Sequence, residues 1–227
     1  MRNDLQERFF RLLETESKDD LISFISELLQ QEKMKVFDIY DELLIPSLNE
    51  WFCQEKEQRL CVWREHVRSS IIRAIIEISY IYLLKERKEL FEKDELVLLN
   101  KRVSVVCPSE EYHEIGARIV ADYFYMNGYD VLFVGGNTPK SEYVDAIDII
   151  KPDYIAISVT NPYNIIITQK TIEHIRNEAK AKNIKQPVII VGGKAFYNKE
   201  HIAMQIGADK VLHSYEDIKA LAEVDRK

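Results

Sequence analysis

The second half of the chain alternates short β-branched runs with segments of helical period, and this alternation constrains the fold more than any other feature. Five runs predict strands at residues 103–107, 130–134, 153–158, 187–191 and 210–212. Apolar residues at three- and four-residue spacing predict helices near residues 112–127, 140–150, 165–182 and 198–206, and a last helix from residue 216. Because parallel strands need crossover connections, the sequence predicts an α/β domain with a five-stranded parallel, doubly wound sheet.

The first 86 residues carry apolar side chains at helical spacing only. Four such segments follow one another with short connections, over residues 5–13, 21–29, 36–48 and 62–78. This pattern predicts a four-helix bundle. Pro46 lies inside the third segment, where it should kink the axis or open local hydrogen bonds. The segment 87–101 is rich in Lys and Glu, so we divide the chain into a helical bundle (1–86), a partly helical linker (87–101) and an α/β domain (102–227).

Composition narrows the class of protein. The formal charge of -7 and the lack of a basic stripe argue against a nucleic-acid-binding surface. The longest apolar runs are far shorter than the roughly 18 residues that cross a bilayer, and the first residues are not signal-like. We therefore expect a cytoplasmic protein that binds no membrane. Cys53, Cys61 and Cys107 fit neither a CxxC redox site nor a zinc knuckle, and we expect free thiols.

Polar or glycine-containing segments follow all five predicted strands, at residues 109–116, 135–138, 158–160, 192–193 and 213–215. The carboxyl ends of parallel strands meet at one edge of the sheet, where open α/β sheets bind ligands. Glycine pairs there let the backbone approach a ligand closely, although an ordinary turn is the alternative for each pair. Neither pair completes a GxGxxG fingerprint, and a GxxxxGK[ST] loop is absent from the sequence. Nicotinamide and nucleoside triphosphate sites are therefore not supported.

His113 lies in the first of these segments, between the first predicted strand and the helix that follows it. A neutral imidazole in this place can coordinate a metal when a second group fixes its tautomer. Glu111 and Glu114 are the candidates for that group. The alternative is a solvated or merely hydrogen-bonded loop histidine.

Three short motifs occur in order along the α/β domain: Glu111-Tyr112-His113-Glu114-Ile115-Gly116, Ser158-Val159-Thr160 and Gly192-Gly193. They resemble the D-x-H-x-x-G, S-x-T and G-G motifs of the cobalamin (vitamin B12)-binding domain. That domain is found in methionine synthase, corrinoid methyl-carrier proteins and cobalamin-dependent light-responsive regulators. The sequence departs from the family at Glu111, where Asp is usual.

The resemblance implies a Rossmann-like, flavodoxin-like domain that binds cobalamin in its adenosyl, methyl or hydroxo form. His113 would be the lower ligand of cobalt, and the carboxylate of Glu111 would bond its other nitrogen. Ser158 and Thr160 would line the pocket of the nucleotide tail. The positions implied to contact the cofactor are Glu111, Tyr112, Gly116, Gly136, Asn137, Thr138, Ser158, Thr160, Gly192, Gly193 and Ser214.

The helical part resembles the cap that the light-responsive regulators place over the upper corrin face. Its pattern is a Trp, nine residues and then Glu-His, and Glu65-His66 match the end of that pattern. Glu55 occupies the Trp position, so Trp51 or Trp63 is the candidate to cover the cofactor. Some regulators have a second cobalt ligand, a His, directly after the Trp, and this sequence has Lys56 there. A buried cap histidine is the alternative for His66.

The resemblance implies a regulator without enzymatic activity of its own. A change in the upper cobalt ligand, by light or by cofactor exchange, would act on a protein partner or on self-association. The partner would be a transcription factor or a signalling protein, without direct contact to nucleic acid. One alternative is a corrinoid protein that carries methyl groups between methyltransferases. A second is an interaction module of the same fold that has lost the cofactor.

Overall fold

The computed structural model describes residues 2–49 and 60–227. The chain divides into two compact units, Met1–Glu92 and Lys93–Lys227. Cys53 and three positions of the predicted cap motif, Trp51, Glu55 and Lys56, lie outside the described residues.

The first unit is helical, as predicted. Its elements are α1 (Arg2–Glu14), α2 (Lys18–Gln30), α3 (Val36–Ile39), a π-helical turn (Tyr40–Leu44), α4 (Ile45–Asn49) and α5 (Cys61–Glu92). Because α3, the π turn and α4 run on without a break, they form the third predicted helix. Helix α5 runs into the segment that we expected to be a linker. The interior contains Phe9, Leu21, Ile25, Leu28, Ile39, Tyr40, Leu44, Ile72 and Ile75.

The π turn has a local cause in Pro46. Proline has no N–H, so it leaves the carbonyl of Glu42, four residues earlier, without its helical donor. The side-chain amide of Gln6 on α1 donates to that carbonyl at 2.8 Å. One residue earlier, the N–H of Ile45 reaches back five positions to the carbonyl of Tyr40. The hydrogen bonds therefore open just before Pro46, and the neighbouring helix satisfies the exposed carbonyl.

The second unit alternates strands and helices. In chain order these are β1 (Arg102–Pro108), α6 (Ile115–Met126), β2 (Asp130–Thr138), α7 (Lys140–Ile150), β3 (Tyr154–Ser158), α8 (Ile165–Ala181), β4 (Val188–Gly192), α9 (Glu200–Gln205), β5 (Lys210–Leu212) and α10 (Tyr215–Asp225). All neighbouring strands are parallel, in the order β2-β1-β3-β4-β5. The predicted five-stranded parallel, flavodoxin-like sheet is confirmed.

Helices cover both faces of the sheet. On one face α6 lies beside α10, where the rings of Tyr123 and Tyr215 are 5.1 Å apart. The opposite face packs on α7, α8 and α9 through a buried cluster that includes Tyr143, Ile147, Ile155, Ile157, Ile172, Ile175, Ile189, Val191 and Ala203. Strand β1 is central, which explains why residues 103–108 are all buried.

Strand β2 is longer than predicted. Residues 135–138 were expected to form a loop, but they belong to the strand and pair with the end of β1, where the register shifts twice. Gly135 and Asn137 have φ of +96° and +52°, which bends the strand while its hydrogen bonds continue. This correction places Gly136, Asn137 and Thr138 directly beside the segment that carries His113.

The cysteines differ from one another. Cys61 is disulfide-bonded, so the prediction of a free thiol is wrong for this residue. Sequence spacing gives no distance between sulfur atoms, which is what decides whether a disulfide forms. Cys107 is a free thiol and is buried in β1, as predicted. Among the described residues, no helix is long and apolar enough to cross a membrane.

Candidate cofactor site

The site begins where β1 ends. The N–H of Glu111 bonds the carbonyl of Pro108 at 3.1 Å, and Glu110 between them has φ of +65°. This tight turn sends the side chain of Glu111 inward, where it is fully buried. A buried carboxylate is costly unless hydrogen-bond donors surround it, so its partners decide what the loop can do.

Five hydrogen bonds surround the carboxylate of Glu111. Its Oε1 accepts from the backbone N–H of His113 at 3.1 Å and contacts Nδ1 of the His113 ring at 2.5 Å. Its Oε2 accepts from the third loop, from the N–H of Thr160 at 3.0 Å, the N–H of Asn161 at 2.9 Å and Nδ2 of Asn164 at 3.1 Å. One carboxylate thus ties the His113 loop to the segment after β3.

These contacts determine the ionisation of Glu111. Burial alone would raise its pKa, but the hydrogen bonds from His113, Asn161 and Asn164 outweigh burial and lower the pKa to about 2. The ionised carboxylate can only accept hydrogen bonds, so Nδ1 of His113 carries the hydrogen. In the neutral ring the lone pair is then on Nε2, which is the form that ligates a metal.

His113 itself is accessible, with 51% of its side chain exposed. A ring that is oriented from beneath and half open above can present a nitrogen to a ligand at the surface. The extra methylene of Glu111, compared with the Asp usual in the family, does not prevent contact with Nδ1. Glu111 is therefore the group that fixes the ring.

Strand β2 supports the same loop from the other side. The N–H of Asn137 bonds the carbonyl of Glu111 at 2.9 Å, and Oδ1 of Asn137 accepts from the N–H of Glu110 at 2.9 Å. Oε2 of Glu114 accepts from the N–H of Gly136 at 2.8 Å. A Cβ at Gly136 would lie only 3.2 Å from the carbonyl oxygen of Glu111. Glu114, the other candidate to fix the imidazole, therefore anchors strand β2.

The remaining predicted contact residues lie at or just after the ends of β1, β2 and β3. The hydroxyl of Ser109 donates to the carbonyl of Thr138 at 3.1 Å, which joins the last residue of β2 to the His113 loop. Ser158 and Thr160 are half-buried at the end of β3, and Thr160 contributes its backbone N–H to Glu111. Tyr112 is 69% exposed. These residues come together with His113 at the carboxyl edge.

The predicted glycines have two different physical explanations. A Cβ on Gly192 would lie 2.6 Å from the carbonyl oxygen of Leu212, and a Cβ on Gly193 would lie 2.5 Å from that of Val159. Glycine is required at both positions because neighbouring backbone atoms leave no room for a Cβ. A Cβ on Gly116 would meet no atom of the described residues within 4 Å, so packing inside the domain does not require this exposed glycine. The open space above Gly116 is what a bound ligand would need.

Ser214 has a structural role. It is the N-cap of α10, and its hydroxyl accepts from the N–H of Asp217 at 3.2 Å. Oδ2 of Asp217 in turn accepts from the N–H of Ser214 at 3.0 Å, which completes a capping box. The polar residues after β5 therefore begin the last helix.

The predicted cap residues lie in the helical unit. Glu65 is half-buried and His66 is exposed, one helical turn into α5. The alternative interpretation of His66 as a buried cap histidine is therefore wrong. Trp63 is 71% exposed on the same helix. The predicted cofactor contact Trp51 is outside the described residues.

Sequence reasoning missed Asn161 and Asn164. Oδ1 of Asn161 accepts from the N–H of Tyr163 at 3.1 Å and begins a 3-10 turn, Pro162–Asn164. That turn brings the buried amide of Asn164 onto Glu111 and onto the carbonyl of Glu110, at 3.2 Å. The Asn-Pro pair is a turn signal that was available in the sequence. Its long-range partner was not, because 53 residues separate Asn164 from Glu111.

Two known proteins are similar to this chain. The chain is 25% identical over 154 residues to the HTH-type transcriptional repressor CarA of Myxococcus xanthus, covering 68% of this chain. It covers 47% of the repressor, so the chain spans about half the length of this curated relative. The monomethylamine corrinoid protein of Methanosarcina barkeri has the same fold, with a TM-score of 0.77 and 14% identity. This match covers 99% of this chain and 100% of that one.

The family follows from the second unit. Residues 101–222 match the B12 binding domain, and this range is more than half of the chain. It contains the ionised carboxylate, the oriented imidazole and the open glycine described above. The chain therefore belongs to the B12-binding domain family, whose cofactor is cobalamin.

Proposed function

We propose that this chain is a cobalamin-dependent regulatory protein without catalytic activity of its own, and that His113 supplies the lower axial ligand of cobalt. The observation that carries the proposal is the pair His113–Glu111. A buried, ionised carboxylate holds Nδ1 at 2.5 Å, while half of the imidazole side chain is exposed. Such a ring is prepared to ligate through Nε2.

The surrounding residues fit the cofactor. Gly116 leaves open space beside the His113 loop, and Tyr112 is exposed next to the imidazole. Thr160 and Ser158 lie at the end of β3, where their hydroxyls would face the nucleotide tail. When bound, cobalamin would supply a cobalt centre whose upper ligand can be exchanged or lost, in light or in the dark. The chain itself would bind the corrinoid and would keep the His113 imidazole in the tautomer that ligates through Nε2.

Sequence similarity supports regulation as the role. The 154 matched residues exceed the length of the B12-binding range, and only five residues follow position 222. The similarity to the repressor must therefore include at least 27 residues before position 101, that is, part of the segment preceding the cofactor domain. The net charge of -7 does not favour contact with nucleic acid, so we propose a protein partner, such as a transcription factor or signalling protein, or self-association.

Spectroscopy tests the cofactor part of this proposal. Purified chain would be mixed with adenosyl-, methyl- and hydroxocobalamin, passed over a desalting column and examined by absorption. We expect retained cofactor with a spectrum of histidine ligation, which His113→Ala removes. His201→Ala is the matched control, because His201 is an exposed histidine on α9 of the same unit. If the chain retains no form of cobalamin, the proposal is wrong and the interaction-module alternative is favoured.

A second experiment separates a regulator from a methyl carrier, the alternative that would use the same lower ligand. The loaded chain would be followed by gel filtration in the dark, after illumination and after exchange of the upper ligand. A regulator should change its assembly state or its binding to a partner when the upper ligand changes. Unchanged assembly and partner binding, together with turnover of the methyl form by a methyltransferase, would favour the carrier.

A further inference from the structure

Large apolar side chains are exposed close to the His113 loop. Tyr163 is 87% exposed, Tyr112 is 69% exposed, and Ile166 is 62% exposed. Tyr163 lies in the 3-10 turn Pro162–Asn164, and Ile166 is the second residue of α8, so these two exposed side chains are three residues apart where the turn runs into the helix. Exposed apolar groups that gather at one place on a domain commonly mark a binding surface.

Hydrogen bonds tie the turn that carries Tyr163 to the carboxylate that contacts the imidazole. Tyr163 lies between Asn161 and Asn164, and both of these donate to Oε2 of Glu111, at 2.9 and 3.1 Å. The other oxygen of the same carboxylate contacts Nδ1 of His113. The turn that carries Tyr163 is thus tied to the ring that carries the metal-ligating nitrogen.

The turn is also well ordered by its own contacts. The N–H of Tyr163 donates to Oδ1 of Asn161 at 3.1 Å, and Pro162 restricts the backbone before it. Thr168 and Asn164 connect the turn to α8 through a hydroxyl bond of 2.8 Å. A large aromatic ring held on such a turn loses little entropy when it is covered.

We propose that Tyr163, with Ile166 beside it, is a positioning residue for the corrin ring on the side that His113 ligates. The inference rests on the proposed function. A flat macrocycle held at its centre by Nε2 of His113 would extend over the loops next to that ring. Tyrosine suits this place because its ring offers an apolar face, and its hydroxyl can bond the amide side chains of a corrinoid.

The occupant follows from continuity with the His113 site. Tyr163 is joined to the ligating imidazole through a single carboxylate, and Tyr112 is the residue next to that imidazole. A protein partner could also cover exposed tyrosines, but it would not depend on the cofactor. Cobalamin affinity therefore distinguishes the two occupants.

Binding of hydroxocobalamin by the full chain tests the proposal. We expect Tyr163→Ala to weaken binding by about tenfold and to change the visible circular dichroism of the bound corrin. Tyr163→Phe should retain most of the affinity. The thermal midpoint of the cofactor-free chain should be the same for the wild type and these variants, because Tyr163 is exposed. Ile149→Ala is the control, since Ile149 is 79% exposed at the far end of α7.

The outcomes are distinct for the two proposals. If the wild type binds cobalamin through His113 but Tyr163→Ala binds with the same affinity and dichroism, the inference about Tyr163 is wrong and the regulator proposal stands. If Ile149→Ala weakens binding as much as Tyr163→Ala, the inference is also wrong. If the wild type does not bind cobalamin, both proposals fail.

Discussion

The loop after β1 and the loops after β4 and β5 carry the same kind of sequence signal, polar or glycine residues at the carboxyl edge, but they use it differently. After β1, five hydrogen bonds meet on the buried Glu111 and leave the His113 side chain half exposed. After β4, Gly193 admits the backbone of Val159. After β5, the hydroxyl of Ser214 caps α10.

This difference shows that position at the ligand edge is not sufficient to identify a functional residue. A residue is available to a ligand only when contacts inside the domain leave it exposed. His113 and Gly116 meet this condition, whereas the backbone packing of Gly193 and the capping role of Ser214 already account for those residues. Substitutions in the two kinds of loop should therefore separate stability from cofactor binding.

The largest effect is expected for Glu111→Ala. It leaves buried N–H groups of the third loop without an acceptor, so we expect the unfolding free energy of the cofactor-free chain to fall by about 4 kcal/mol. Urea denaturation followed by far-UV circular dichroism would measure this. Glu110→Ala is the matched control, because Glu110 is the neighbouring residue and is exposed. A loss of the same size in both variants would contradict the central role of Glu111.

The pH dependence of the unfolding free energy should reflect the lowered pKa of the same carboxylate. The ordinary pKa of a Glu side chain is 4.5, and in the folded chain that of Glu111 is lowered to about 2. The unfolded chain therefore takes up a proton first, and the stabilisation from Glu111 is complete above about pH 4.5 and is lost as the pH falls towards 2. We expect a loss of about 3 kcal/mol over this range.

Comparison with Glu111→Gln isolates that contribution from those of the other carboxylates. The difference in unfolding free energy between wild type and this variant should shrink steadily as the pH falls from about 4.5 towards 2, the range set by the two pKa values. A constant difference over this range would show that the carboxylate of Glu111 is not held in its ionised form by the fold.

The two kinds of glycine should respond in opposite ways. Gly193→Ala places a Cβ 2.5 Å from the carbonyl oxygen of Val159 at φ of +100°, and we expect a loss of at least about 2 kcal/mol. Gly116→Ala adds a Cβ to open space in a helix, so stability should rise by roughly 0.4–1 kcal/mol. Cobalamin affinity should fall in Gly116→Ala. Equal stability losses in the two variants would remove the distinction between them.

The smallest effect is expected at the N-cap of α10. Ser214→Ala removes the acceptor for the N–H of Asp217 and should cost about 1 kcal/mol, while Ser214→Asp should keep the cap. Because the hydroxyl is already engaged, cobalamin affinity should change by less than about twofold in both variants. A large loss of affinity with unchanged stability would instead place Ser214 at the cofactor, as the family resemblance implied.

Much of the fold was predictable because it depends on local patterns. Runs of β-branched residues separated by helical periods were sufficient for the parallel sheet, and apolar spacing was sufficient for the helical unit. The extension of β2 through Gly135 and Gly136 was missed, since glycine pairs ordinarily indicate a turn. Only the pairing of β2 with the end of β1 shows that the strand continues.

The sequence by itself determined the family motifs, the order of strands and helices, and His113 as the candidate ligand, because these depend on residue type and spacing along the chain. The tertiary structure decided whether Glu111 can orient the His113 ring, as the Asp usual in the family would. Its oxygens meet Asn161 and Asn164, about 50 residues away, and Nδ1 of His113, so the longer side chain is held and ionised where it is needed. Contacts between distant segments are made by folding, and spacing along the chain contains no distance between them.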